Sequence, residues 1–265
     1  MRTVLKVARL FGAGFSMSLR QTLAFRVNLA FDIVMAVVQL LSTLATVLII
    51  FSRTDSLAGW TRPEVFVLIG TFELISGVKT TFVDPNLANF PTRGIREGHL
   101  DHQLLQPAPS MFLVSLGTAA PLAAVQIPLG LVVVGMGVSM GGQVPGPGAV
   151  VVWLLLVGAA TVTMWAVGML LASLAFWASK LDLQSLYGNA WQFARYPSDI
   201  YAKPLRFLFT YVLPLALIAT VPARALVRPF DLSSVLLALA AGVVAVGLAV
   251  VAWRRGLKRY TGATS

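Results

Sequence analysis

Apolar residues run along this chain in blocks too long to belong to the faces of soluble helices. A membrane-crossing helix needs about 20 mostly apolar residues. Six stretches meet that demand: Val27–Phe51, Glu64–Val83, Ser110–Ser139, Gly148–Ala178, Leu205–Val221 and Leu232–Trp253. The run Gly141-Gly142-Gln143-Val144-Pro145-Gly146-Pro147-Gly148 parts the third from the fourth, because its Gly and Pro residues cannot continue a helix. The fifth stretch is short, with Pro214 inside it and Pro222 at its end. It is expected to bend, or to cross only with the help of the segment after it. In the sixth, Ala238, Gly242, Ala245, Ala249 and Ala252 recur at four and three, a small-residue face along which another helix can approach closely.

Residues 1–26 have a different pattern. Lys6, Arg9, Ala13, Ser16 and Arg20 share one helical face, and Ala8, Phe11, Phe15 and Leu19 another. With no compact apolar core leading to a small-residue cleavage site, this is not a cleavable signal peptide. It is expected to be a basic amphipathic helix in the membrane interface, where each basic residue adds about 1 kcal/mol against anionic lipid. The alternative is packing on the protein's own cytoplasmic loops.

Composition sharpens the picture. Apolar residues make up 57% of the 265 and charged residues 11%, against about 25% charged in a typical soluble domain. Between Asp101 and Lys180 lie 78 residues without a formal charge. Soluble enzymes and nucleic-acid-binding domains are excluded, and the absence of Cys excludes a disulfide scaffold. The net charge of +10 is therefore a matter of sidedness. With a cytoplasmic N-terminus and the six spans above, fifteen Lys and Arg fall on the cytoplasmic side, Arg195, Lys203 and Arg206 among them, and four outside. Both termini are then cytoplasmic, and the expected fold is all-α, one polytopic domain with a multi-pass topology.

Chemistry-bearing motifs are few. There is no G-x-x-x-x-G-K-[ST] phosphate loop, no G-x-S-x-G and no H-E-x-x-H. His99 and His102, with Glu97 and Asp101, sketch a metal site, but the chain has no third imidazole and no thiol, so solvated loop histidines are the expectation. Enzymatic activity and a resident metal are not expected. The cytoplasmic loop over residues 85–109 is more informative. Ile95, Leu100, Leu104 and Leu105 form a short apolar stripe that Pro107 ends, a handle for another protein or a helix lying on the bilayer. Three charges fall inside spans. Asp32 and Lys79 sit at similar depth on consecutive antiparallel helices and are plausible partners; the alternative is that Lys79 reaches up to the interface and Asp32 meets cytoplasmic water. Glu73 lies about 9 Å deeper than Lys79 and is expected to face a translocation path or an internal polar cluster rather than lipid.

The motif Ile95-Arg96-x-Gly98-x-Leu100-Asp101-x-x-Leu104-x-x-Pro107 resembles the loop of type-2 ABC exporter permeases, in the subfamily that pairs two different permeases with one kind of ATPase. Tyr196-Pro197-x-x-Ile200-Tyr201, Leu213-Pro214-Leu215-Ala216 and Val221-Pro222-Ala223 resemble it too, in the same order. Gln106 departs from the basic residue expected before the proline.

The resemblance implies a bacterial inner-membrane half-transporter. Its first helix and its loop would seat on a separate ATPase, present in two copies, which would bind the ATP and Mg; this chain would hold no cofactor itself. Ile95, Arg96, Glu97, Gly98, Leu100, Asp101, Leu104 and Pro107 would make the coupling contacts, with Leu100 and Leu104 as apolar anchors. Residues 221–231, including Pro222 and Arg224, would form an outer re-entrant turn. A second, different permease would complete the path, with efflux of toxic or amphiphilic small molecules, organic cations among them. The other reading is an ATP-independent carrier or membrane scaffold. No internal symmetry of the kind common in carriers is visible.

Overall fold

The computed structural model describes residues 12, 15–20, 26–142, 144–178, 183–229 and 231–260. Most of the expected amphipathic helix over residues 1–26 lies outside them. Residues 15–20 are helical, and the Phe15 ring stands 6.0 Å from that of Phe82. The α-helices are α1 (Arg26–Phe51), α2 (Arg62–Val78), α3 (Asp84–Leu87), α4 (His99–Leu104), α5 (Ser110–Leu116), α6 (Gln126–Met140), α7 (Pro147–Leu174), α8 (Leu183–Trp191), α9 (Lys203–Phe207), α10 (Thr220–Val227) and α11 (Leu232–Arg259). Among the described residues the only strand pairing is one bridge between Leu57 and Trp60. Five helical stretches are long and apolar enough to cross a membrane: Ala30–Phe51, Arg62–Arg96, Pro121–Met140, Pro147–Leu174 and Leu232–Arg259. A sixth would be a bent pair, Lys203–Thr210 with Leu215–Val227.

The second of these does not stop at Val83. It continues for 35 residues to Arg96, about 52 Å at 1.5 Å per residue, far more than a bilayer's hydrocarbon needs. Two prolines, Pro85 and Pro91, should have broken it. Instead π-helical turns over Lys79–Val83 and Phe90–Arg96 surround them. The wider i→i+5 turn before Pro85 makes room for its ring, which would strike the carbonyl four residues back in an α-helix. Pro91 stands in the first turn after a break at Ala88 and Asn89, where its missing N–H is not needed.

At the centre of the bundle, α2 and α6 meet backbone to backbone. A Cβ on Gly70 would lie 2.5 Å from the Val134 nitrogen, and one on Gly130 2.6 Å from that of Leu74. At Gly137 the Val67 nitrogen would be 2.7 Å away. Gly70 and Gly77 on one helix, and Gly130 and Gly137 on the other, are seven apart, so each pair keeps one face. Such approach is how helices associate in lipid, where no hydrophobic drive exists between them. The small-residue face of α11 packs on α7: a Cβ on Gly242 would stand 3.1 Å from the Thr163 hydroxyl, and Ala238 and Ala249 are buried. By contrast α1 exposes Phe31, Val34, Met35, Val38, Leu41, Leu48 and Ile49.

The bundle has two ends, one marked by Trp60, just before α2, and the other by Phe90, beyond it. Expected boundaries shift in three places. The third stretch is interrupted: α5 stops at Leu116, and the chain resumes at Pro121 as a 3-10 turn leading into α6. Gly117 to Ala120 form the break, held by Asn86, whose carboxamide oxygen accepts from both the Thr118 amide and its hydroxyl. The last helix runs six residues past Trp253, to Arg259. At its start the Asp231 carboxylate accepts from the Ser233 amide at 3.2 Å, and its bonds to Ser233 hold its pKa below the usual aspartate range.

The third shift concerns the fifth stretch, which bends as expected: a π-helical turn ends at Val212, Leu213 and Pro214 break the chain, and the halves Lys203–Thr210 and Leu215–Val227 meet at 70°. Both flanks of this bent pair lie at the same end of the bundle. Asp199, ahead of it, accepts from the Trp60 indole at 3.0 Å, and Arg228, after it, donates to the Gly59 carbonyl at 2.7 Å. The segment that runs the length of the bundle is the one before it, residues 183–200. Gln184 donates to the Gly168 carbonyl, Tyr187 and Trp191 flank Lys79, Trp191 donates to Ser76, Arg195 reaches Glu73, and Asp199 meets Trp60. From Gly168 on α7 and Lys79 beyond α2, through Ser76 and Glu73 on α2, to Trp60 before it, these partners run from the Phe90 end to the Trp60 end. Arg195, Lys203 and Arg206 therefore do not belong with the loop at the Phe90 end.

Candidate functional site

Three groups of polar side chains punctuate this apolar bundle. The deepest is Glu73 with Arg195. Glu73 is 6% exposed, and its carboxylate lies 3.5 Å from an Arg195 guanidinium nitrogen. Arg195 also donates to the Thr43 hydroxyl at 3.1 Å and stacks 5.2 Å from the Phe72 ring. The Thr43 contact ties α1 to the 183–200 segment. The pair is loosely bonded: Glu73 Oε1 and Arg195 Nε are both buried without a hydrogen-bond partner. Removing one member of a buried pair strands the other charge, which is why such pairs are kept or lost together.

Toward the Phe90 end sits Lys79. It is 8% exposed and bonds both oxygens of Asp84, at 2.7 and 2.9 Å. The expected Asp32–Lys79 partnership is thereby corrected. A π-turn separates Lys79 from Asp84 by five residues and brings them onto one face, so the local carboxylate captures the ammonium. Asp32 is exposed on α1. The Trp191 and Tyr187 rings, at 5.2 and 5.9 Å, complete the surroundings of the Lys79 ammonium.

At the Trp60 end is a latch. Arg228 grips Glu64 with two hydrogen bonds, at 2.6 and 2.7 Å, the planar fork geometry that makes Arg–carboxylate pairs strong. These bonds raise the Arg228 pKa above its ordinary value. Arg224 bonds Asp199 at 2.6 Å, and Arg206 lies 3.8 Å from the same carboxylate. Both Arg224 and Arg228 stand over the buried Trp60 ring, at 5.4 and 5.0 Å. Pro222, by contrast, is buried within α10.

The loop over residues 85–109 divides at Gly98, whose φ of +74° favours glycine. Ile95 lies before that break and Leu100, Leu104 and Leu105 after it, so the expected single stripe is two pieces. Leu100 is 0% exposed, packed into the core of its own chain, and is corrected as an anchor for a partner. Leu104 and Leu105 are 43% and 84% exposed. Arg96, Glu97 and Pro107 are exposed, and Asp101 is half-buried. His99 lies 4.0 Å from Glu97. Among the described residues no group of three or more His, Cys, Asp or Glu side chains is gathered for a metal. Behind this face Phe90 meets Phe176 at 5.8 Å and Trp253 at 5.7 Å, so rings from the long second helix, the segment after α7 and α11 interlock.

Sequence reasoning missed Arg195, Asp199, Trp60, Glu64 and Arg228. The signal for Arg195 and Asp199 was present as two charges four apart next to aromatic residues. It was read as loop because Gln184, Asn189, Gln192 and Pro197 lower the apolar content of residues 183–200 below that of a span.

Comparison with known proteins gives one match. The family model described as "ABC-2 family transporter protein" matches residues 35–264. No curated protein matches, and no solved structure matches.

Proposed function

The chain belongs to the ABC-2 transporter family, and from that premise we propose how its parts serve an exporter. As a member it is a multi-pass membrane permease component of an ABC transporter, a family whose members work with an ABC ATPase. In the proposed arrangement two copies of that ATPase bind the nucleotide. This chain forms half of an export path in the bacterial inner membrane, and a second, related permease forms the other half.

The observation that carries this reading is the 35-residue second helix. It leaves the bundle at the Phe90 end and presents α4, with Leu104 and Leu105 facing outward. These two leucines, not Leu100, are the proposed ATPase anchors, with Arg96, Glu97 and Asp101 at the rim. The Phe90–Phe176–Trp253 cluster carries a push on this loop into the ends of the fourth and last spans.

The Phe90 end is then cytoplasmic, with both termini on that side. Residues 183–200 make the fifth crossing, and the bent pair from Lys203 to Val227 dips into the membrane from the outer face and returns. The re-entrant element is thus longer than the 221–231 turn. Charge supports the sidedness. With this assignment twelve Lys and Arg lie on the cytoplasmic side and six outside, while Lys79 and Arg195 stay within the bundle.

The test uses the chain's lack of Cys. An impermeant maleimide should label Ala202→Cys and Ser56→Cys in intact cells, and His102→Cys only after lysis. Ala202→Cys silent until lysis would restore a cytoplasmic loop before the bent pair. Separately, the chain should co-purify with an ABC ATPase subunit, and Leu105→Asp should break that association. Retention of the ATPase by the variant would overturn the docking assignment.

A further inference from the structure

One face of the 183–200 segment remains unexplained. Ser185 and Asn189 are four apart on one face of α8, and Gln192, three further on, opens the 3-10 turn that continues it. All three are exposed. The opposite face, with Tyr187, Trp191 and Ala194, is buried in the bundle. Two exposed carboxamides, Asn189 and Gln192, on a segment at membrane depth cannot be left against hydrocarbon, where nothing answers their hydrogen bonds. They face water, solute or another polar surface.

A second observation comes from α1. There Gln39, Ser42 and Thr46 are exposed at three and four, beside the buried Thr43 that receives the Arg195 hydrogen bond. Polar rows on two neighbouring elements therefore border one contact. A third lies beneath them. The Glu73 side chain is 8% exposed, and its Oε1, like Arg195 Nε, lacks a hydrogen-bond partner. The site keeps one unused acceptor and one unused donor, and its two charges cancel.

Building on the permease reading, we propose that Asn189 and Gln192 line the substrate path. The group they recognise is an uncharged one with both donor and acceptor, a hydroxyl or amide carried on an amphiphile. The chemistry follows from charge. A cation reaching Glu73 would be repelled by Arg195, and an anion reaching Arg195 would be repelled by Glu73. A hydroxyl exchanges bonds with either exposed carboxamide, and the buried Glu73–Arg195 pair behind them adds no net charge that would draw an ion. Asp32 is seven residues before Gln39 on α1, at the mouth of the path and not within the row. The next apolar position around the segment, Leu186, is 65% exposed and faces lipid.

The test places single cysteines in the ATPase-bound complex reconstituted in lipid nanodiscs. A water-soluble methanethiosulfonate should modify Asn189→Cys and Gln192→Cys about tenfold faster than Leu186→Cys and Val243→Cys, since only a hydrated surface generates thiolate readily. Three six-carbon probes then separate the chemical classes: hexyl glucoside, hexyltrimethylammonium and hexyl sulfate. Only hexyl glucoside should slow modification at positions 189 and 192. Equal rates at all four cysteines would mean the row is not a wet path, including the case in which a second permease seals it. Protection by hexyltrimethylammonium or hexyl sulfate, or none by hexyl glucoside, would overturn the substrate class. Because the complex must hold its ATPase before labelling begins, loss of the ATPase counts against the permease reading, whereas failed labelling in an intact complex counts against this inference alone.

Discussion

Replacing Gly130 by alanine adds one methyl group at the tightest part of the bundle. Its Cβ would lie 2.6 Å from the Leu74 nitrogen, 2.7 Å from the Gly70 carbonyl oxygen and 3.0 Å from the Leu74 Cα. All three are backbone atoms, so no side chain can swing aside. Restoring ordinary carbon contacts of about 3.5 Å requires α2 and α6 to part by nearly 1 Å, and a gap of 0.5–1 Å forfeits roughly a quarter to a half of each dispersion contact. Overpacking of this kind costs about 1–3 kcal/mol. Gly135 is the internal control, since it sits on the same helix and a Cβ there meets nothing within 4 Å.

Unfolding in a mixed-micelle denaturant titration should show Gly130→Ala destabilised by about 1–3 kcal/mol. Gly135→Ala should be unchanged or slightly stabilised, because alanine is the better helix former by up to about 1 kcal/mol. Gly70→Ala should resemble Gly130→Ala. The double variant should cost clearly less than the two single costs together, because one separation of the helices relieves both clashes. If Gly130→Ala and Gly135→Ala unfold together within about 0.5 kcal/mol, the scatter of additive behaviour, the helices are not in backbone contact and the seam does not exist.

Other consequences are measurable by the same means. Arg195→Leu should cost about 3–5 kcal/mol by stranding the Glu73 carboxylate in the bundle, while Arg195→Leu with Glu73→Gln should recover most of it; equal losses would show that the pair does not act as a unit. Lys79→Met and Asp84→Asn should be strongly non-additive in stability, whereas Lys79→Met and Asp32→Asn should add, as expected of residues without a shared contact. Arg228→Lys keeps the charge but loses the fork on Glu64, so it should lower the melting temperature almost as much as Arg228→Ala. The Asp231 cap has a pKa lowered by its bonds to Ser233. Its contribution is therefore present above the usual aspartate pKa and lost as pH falls through the depressed one, and an acid titration of Asp231→Ala against the parent chain should differ only above that range.

What could be read in the sequence came from one physical demand, that surfaces touching lipid be apolar. The segments Ala30–Phe51, Pro147–Leu174 and Leu232–Arg259 touch lipid along much of their length, and their apolar runs marked them within a few residues. The small face of the last one was legible for the same reason, because in a helix otherwise made of large apolar residues a run of Ala and Gly stands out. The α2–α6 seam was not legible. Gly70 and Gly77 are ordinary in their own helix, as are Gly130 and Gly137 in theirs, and only the pairing gives the sevenfold spacing its meaning. The Asp32–Lys79 pairing failed because depth alone was compared, and the π-turn that hands Lys79 to Asp84 leaves no periodic trace.

The bent fifth stretch and the segment before it are more instructive. Leu205–Val221 is apolar enough to pass for a span, yet both its flanks are fastened to Trp60, Gly59 and Glu64 at one end of the bundle. Residues 183–200 hold Gln184, Asn189, Gln192, Arg195 and Pro197 and look like loop, yet they meet α7, α2 and Trp60 in turn from one end of the bundle to the other. Apolarity measures contact with hydrocarbon, and a segment with one face in the protein core and the other on a wet path needs little of it. In the proposed topology composition therefore ranks lowest the crossing that lipid touches least, and along the proposed path the weakness of residues 183–200 as a span and their polar face at Asn189 and Gln192 have the same origin.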